Sequence, residues 1–171
     1  MERFWNIIHY FAYKAEYKIH LWSNKINPIL YLYKLSFAKK HFKKIDINPV
    51  NELNNAYKKT DIVGISGFFA GNLMNALLFF ICFGIYCIYN GLKKDFLINS
   101  VYVIIIIGII SFISNYFLLF RKDKYLKYFK EFDKMKHQEK KKWAMISLLI
   151  FGGVLLFLVG SFAFMIYRLN N

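Results

Sequence analysis

The stretch Trp143–Tyr167 reads WAMISLLIFGGVLLFLVGSFAFMIY, 25 residues without one charged side chain. A helix of about 20 apolar residues crosses the roughly 30 Å of hydrocarbon in a bilayer. This stretch is long enough to do so, and its apolar positions are continuous. Continuous runs predict helices, whereas the strands of a membrane β-barrel alternate, so a barrel is excluded. Two more stretches share the character, Ile62–Tyr89 with 28 residues and Phe96–Phe120 with 25. Soluble proteins seldom bury helices of this length and apolarity. The expected fold is an all-α membrane protein with three transmembrane helices at 62–89, 96–120 and 143–167.

The charges lie between these runs. The 171 residues are 57% hydrophobic and still carry a net charge of +14. That hydrophobicity excludes wholesale disorder. Positions 1–61 hold 11 Lys/Arg against 5 acidic residues, and 121–142 hold 10 against 4. The connection 90–95 and the tail 168–171 are each only +1. Lys and Arg are retained on the cytoplasmic side of a span. Segments 1–61 and 121–142 are therefore expected inside, with 90–95 and 168–171 outside, in a bacterial inner membrane or an equivalent. Asn90-Gly91 is a favourable turn pair and is expected to open the short outside loop, making the first two spans a tight hairpin. The first 20 residues contain no apolar run, so the first span is expected to act as an uncleaved anchor. Cys82 and Cys87 point about 140° apart on one helix and read as packing residues rather than a disulfide.

The N-terminal 61 residues read as two or three helices. Phe4, Ile8, Phe11, Ala15, Ile19 and Trp22 recur at helical spacing and form one apolar face. Glu2, Asn6, His9, Tyr13, Glu16 and His20 collect opposite, with Arg3, Lys14, Lys18 and Lys25 on a flank. Such a helix suits either the membrane interface or packing within a small cytosolic cap. Ile26-Asn27-Pro28 and Ile47-Asn48-Pro49 are both helix-start signals. A second helix is expected from Pro28, with Tyr31, Leu35, Ala38 and Phe42 on one face, and a third from Pro49 to about Lys59. In the 121–142 loop, Tyr125, Tyr128, Phe129, Phe132 and Met135 form an apolar stripe amid lysines. This basic amphipathic helix is expected to pack against the aromatic faces of the N-terminal helices, forming the cap.

The spans hold no Asp, Glu, Lys, Arg or His, which argues against a charge-coupled pump. Small and weakly polar residues remain: Gly64, Gly67, Gly71 and Asn75 in the first; Gly108, Ser111 and Asn115 in the second, in line with Ile104; Gly153 and Gly160 in the third, with Leu149, Leu156 and Ala163. Small residues let helices approach closely, and Asn75 and Asn115 are placed to hydrogen-bond across an interface. These nine glycine, serine and asparagine positions are the expected packing sites, within one bundle or between subunits. Lys39, Lys40, Lys43 and Lys44, with Lys140, Lys141 and Lys142, are expected to contact anionic lipid head groups, each contributing about 1 kcal/mol near a charged surface. No nucleic-acid motif accompanies them, so no nucleic-acid partner is expected.

Gly64-Ile65-Ser66-Gly67 resembles the nucleophile motif of rhomboid intramembrane proteases. The resemblance covers four residues and lacks the base that a serine nucleophile requires, because His9, His20, His41 and His137 all lie outside the spans. His9, Glu16 and His20 share a face but are too far apart along it to hold one metal ion. No phosphate loop, dinucleotide fingerprint or zinc spacing is present. Asp61, Arg121, Lys122 and Asp123 at the span ends are explained by capping and charge bias. No metal, cofactor or enzymatic activity is expected. The expected function is a non-enzymatic membrane subunit or scaffold, assembling with itself or with partner proteins at the cytoplasmic face. The alternative is a small homo-oligomeric pore or membrane-perturbing effector.

Overall fold

The computed structural model describes residues 2–33, 35–44, 47–58, 64–93 and 100–170, which are helical apart from short connections and contain no strand. In chain order the helices are α1 (Glu2–Ile26), α2 (Pro28–Leu32), α3 (Ser36–Lys44), α4 (Pro49–Lys58), α5 (Ile65–Lys93), α6 (Ser100–Asn115), α7 (Lys124–Asp133) and α8 (His137–Asn170). A π-helical turn, Tyr116–Phe120, and a 3-10 turn, Arg121–Asp123, join α6 to α7. Three helices are long and apolar enough to cross a membrane: α5, α6 with its continuation, and α8. Asp61, Ile62, Val63 and the segment 94–99 lie outside the described residues.

Two compact units are present, Met1–Phe11 with Asn72–Asn171, and Ala12–Gly71. In the first, two glycines of α5 set the contact with α8. A Cβ on Gly84 would collide with the Phe157 ring and stand 3.1 Å from Ser161 Oγ. On Gly91 it would stand 3.0 Å from Phe164 Cε1 and 3.1 Å from the Met165 Cα. Contacts advance in the same direction along both helices, so α5 and α8 run parallel. Asn75 near the start of α5 meets Asn115 at the end of α6, as in an antiparallel pair. Gly91 is thus a packing residue, not the turn residue expected from Asn90-Gly91. Both residues lie in the last turns of α5, which runs on to Lys93. The dipeptide's turn preference is overridden because a side chain at 91 would collide with α8.

In the second unit, the C-terminal half of α1 is fastened to α4. The Tyr13 hydroxyl donates to the Lys58 carbonyl (2.6 Å), closing the last turn of α4. His20 stacks on Tyr57 with ring centroids 3.4 Å apart, and Asn24 donates to Asn54 Oδ1 (2.9 Å) beside it. Asn48 caps α4 as its sequence predicts, its Oδ1 accepting the Val50 and Asn51 amides at 3.2 Å. The single helix expected from Pro28 is divided. α2 ends at Leu32, the Leu35 amide bonds back to the Leu32 carbonyl (3.2 Å), and α3 begins at Ser36. The Tyr33 ring meets Phe42 edge-on across the break. Of the stripe expected on that helix, Ala38 is buried, Phe42 half-buried and Leu35 exposed. The Tyr31 side chain lies outside the described set.

α1 does not divide along its expected faces: Ile8 of the apolar face is fully buried and Phe11 half-buried. Asn6, His9, Tyr13 and His20 are buried, whereas Phe4, Ala15, Ile19 and Trp22 are exposed, Trp22 at 64%. Asn6, Tyr13 and His20 find hydrogen-bond partners on the packed face, whereas His9 is enclosed by aromatic rings alone. Of its aromatic residues Phe4 and Trp22 face outward, while Tyr10 and Tyr13 are buried.

Candidate functional site

The π-helical turn after α6 brings together three buried polar side chains, Asn6, His9 and Asn115. A wider turn withdraws carbonyls from their usual i+4 partners. Asn6 of α1 supplies a replacement: its Nδ2 donates to the Leu118 carbonyl (3.1 Å) and to the Glu2 carbonyl of its own helix (2.9 Å). Asn115, fully buried at the end of α6, bridges two helices. Its Oδ1 accepts the Trp5 indole N–H (2.8 Å) and its Nδ2 donates to Asn75 Oδ1 (2.7 Å). Removing one member strands the others in low dielectric, at about 1–3 kcal/mol each.

The backbone then reverses through Lys122 (φ 59°, ψ 31°) and Asp123 (φ 52°, ψ 34°). Both are non-glycine residues in the left-handed region, a conformation costing roughly 1–2 kcal/mol per residue. The sharp bend lays α7 back against α1, and ion pairs and ring contacts hold it there. Glu2 accepts from Lys124 Nζ (2.7 Å) and from the Tyr128 hydroxyl (3.3 Å). The Lys124 ammonium holds the Glu2 carboxyl below the usual carboxylate range, while desolvation, then Glu2, raises the Tyr128 phenol. Arg3 donates to Glu131 at 2.8 and 3.1 Å, and the Tyr10 hydroxyl to Asp133 (2.7 Å). The exposed Arg3–Glu131 pair contributes less than about 1 kcal/mol. Orientation comes from the packed aromatics of α7: Tyr125, Phe129 and Phe132 are all buried.

Inside this junction sits His9. Its ring lies 5.2 Å from Phe129, 5.9 Å from Tyr125 and 6.1 Å from Phe120, and neither ring nitrogen has a hydrogen-bond partner. Desolvation lowers its pKa from 6.5 to about 4, so the imidazole is neutral at pH 7. The aromatic packing around the ring holds α1 against α7.

The expected packing residues divide. Gly64, Gly67, Gly71, Ser111 and Asn115 are buried, and Asn75 is half-buried and hydrogen-bonded. Among the described residues, a Cβ on Gly108, Gly153 or Gly160 would meet nothing within 4 Å. The face Leu149, Gly153, Leu156, Gly160 and Ala163 is exposed, and α8 turns Ser147, Ser161 and Met165 inward instead. The Ser147 and Ser161 hydroxyls donate to the Trp143 and Leu158 carbonyls at 2.9 Å, so both enter apolar packing already satisfied. On α6 the inward line is Ile107, Ser111 and Asn115, while Ile104 is exposed.

Lys39, Lys40, Lys43 and Lys44 are exposed on α3, as are Lys141 and Lys142 on α8. Lys140 is not a free head-group contact: its ammonium donates to the Asp133 carbonyl (2.8 Å) and caps α7. Ser66 is buried, and among the described residues its Oγ has no hydrogen-bond partner. Asp123 and Lys122 form the bend, and Arg121 lies over the Phe117 ring at 5.1 Å. Sequence reasoning missed Gly84 and Gly91, although their spacing of seven was a readable signal. It also missed Trp5 and Asn6 as partners of the spans, for which the sequence held none. No family model matches the chain, and no characterised protein or solved structure does so either.

Proposed function

We propose that this protein is an integral membrane subunit or scaffold, non-enzymatic, that assembles through α8 with a second copy or with a partner protein. The observation that carries the reading is the outward face of α8. Gly153 and Gly160 have open space where a side chain would be, and Leu149 and Leu156 beside them are 68% and 76% exposed. Glycine inside a helix costs about 1 kcal/mol relative to alanine. A seven-residue repeat of glycine recovers that cost when another helix approaches closely along it. The N-terminus and the 121–142 segment are cytoplasmic in this reading and the C-terminus is outside, by the lysine asymmetry. Residues 2–11 and α7 then form a rigid cytoplasmic platform, with α3 lysines available to anionic lipid head groups.

The test is the mass of the particle in mild detergent, for the parent and for Gly153→Leu/Gly160→Leu. Assembly in the parent, lost in the variant with folding intact, is the expected result. A parent particle of monomeric mass, without associated protein, would refute the proposal. A ring-sized homo-oligomer that dissipates a membrane potential would transfer it to the pore alternative.

A further inference from the structure

Between the second half of α1 and helices α2–α4 lies a cleft of about 720 Å³, within the usual size of small-molecule sites. Its apolar lining is Leu30, Phe42, Ile47 and Val50. Its cationic lining is Lys39 and Lys43, one turn apart on α3, with Lys25 of α1 also on the wall. No carboxylate is among the described lining residues. The asparagines Asn24 and Asn54, held against His20, line it as well. Apolar surface with lysines of one sign is the chemistry of an amphiphile carrying an anionic group.

We propose that this cleft binds one anionic phospholipid, its phosphate on Lys39 and Lys43 and its acyl carbons against Leu30, Phe42, Ile47 and Val50. The cleft distinguishes lysines that the sequence alone presents as one cluster. Lys39 and Lys43 line it; Lys40 and Lys44, on the same helix, do not. The inference rests on α3 meeting an anionic membrane surface, and it is independent of assembly through α8. A free phosphate ion would use the lysines alone, whereas a lipid also uses the apolar wall.

Native mass spectrometry of the full chain in detergent, titrated with dihexanoyl phosphatidic acid, tests it. One bound lipid per chain is expected, with dihexanoyl phosphatidylcholine binding at least tenfold more weakly. Lys39→Gln/Lys43→Gln should lower affinity by about tenfold or more, from two lost phosphate contacts. Lys40→Gln/Lys44→Gln removes the same charge and should change it by less than about twofold. All four lysines are exposed, so helix content and unfolding midpoint should hold in both variants. Equal losses in the two pairs would overturn the cleft and leave only surface attraction. No loss in either pair would overturn both the cleft and the membrane-surface reading of α3. Inorganic phosphate competing as strongly as the lipid, with Ile47→Ser unchanged in affinity, would overturn the lipid assignment.

Discussion

At His9, protonation and packing compete. The folded protein holds the ring neutral among Phe120, Tyr125 and Phe129, with its pKa near 4, whereas the unfolded chain protonates near 6.5. Between those values the unfolded state binds the extra proton, so stability falls as the pH drops from about 6.5 to 4. The difference corresponds to roughly 3 kcal/mol when fully developed. The thermal unfolding midpoint in detergent is expected to decline through that window and to be flat above it. His9→Leu should remove most of the decline while leaving the pH 7 midpoint unchanged or raised. An equally steep decline in that variant would show that another group is responsible. Asn115 follows a different rule, because it is fully buried and joins two helices by hydrogen bonds. Asn115→Leu removes its bonds to the half-buried Trp5 indole and Asn75 amide, and should cost about 1–3 kcal/mol in SDS-unfolding titrations. A cost below about 0.5 kcal/mol would mean that the bridge is not a net stabiliser.

Among the elements, α5 and α8 use glycine for opposite purposes. Gly84 and Gly91 lie where α8 comes closest, so Gly91→Leu meets the Met165 backbone and Gly84→Leu the Phe157 ring. Overpacking of this kind costs about 1–3 kcal/mol. Gly153→Leu enters open space and should leave the midpoint of the monomer within about 0.5 kcal/mol of the parent. Comparing midpoints of the three variants in detergent decides the matter; similar destabilisation by all three would contradict the helix orientation described. Periodicity located these helices but not their rotation. A span that is apolar all round offers no moment to say which side is packed, and glycine spacing on α8 pointed to the side that is free. On α1 the periodicity was clear, but the buried side follows the tertiary partners: Ile8 of the expected apolar face is enclosed together with Asn6 and His9 of the opposite one, while Phe4 and Trp22 are exposed.

Over the whole molecule, charge is distributed by segment rather than by face. The two strongly basic segments, 1–61 and 121–142, flank the first and third apolar helices. If both are cytoplasmic, a cysteine at position 130 should react with an impermeant maleimide only from the cytoplasmic side. One at position 170 should react only from outside. The pair Lys130→Cys and Asn170→Cys, in a Cys82→Ala/Cys87→Ala background, tests this in sealed vesicles of known orientation. Labelling of both from one side would show that α8 does not cross the membrane. Amides of 124–133 should also exchange slowly, because α7 buries three aromatic residues against α1.

The sequence alone determined three helices able to cross a bilayer by length and apolarity, the helix starts at Asn27-Pro28 and Asn48-Pro49 by capping residues, and the amphipathic α7 by periodicity. These are local properties: a run of uncharged residues or a cap acts on its own few turns. Only the tertiary structure decided which glycines are contacts, that Asn6 and Trp5 reach the end of α6, and that His9 is enclosed. Each of those depends on partners 40 to 110 or more positions away in the chain. The bend at Lys122 and Asp123 belongs to the same group. Neither residue favours a positive φ, and the packing of α7 on α1 holds them there.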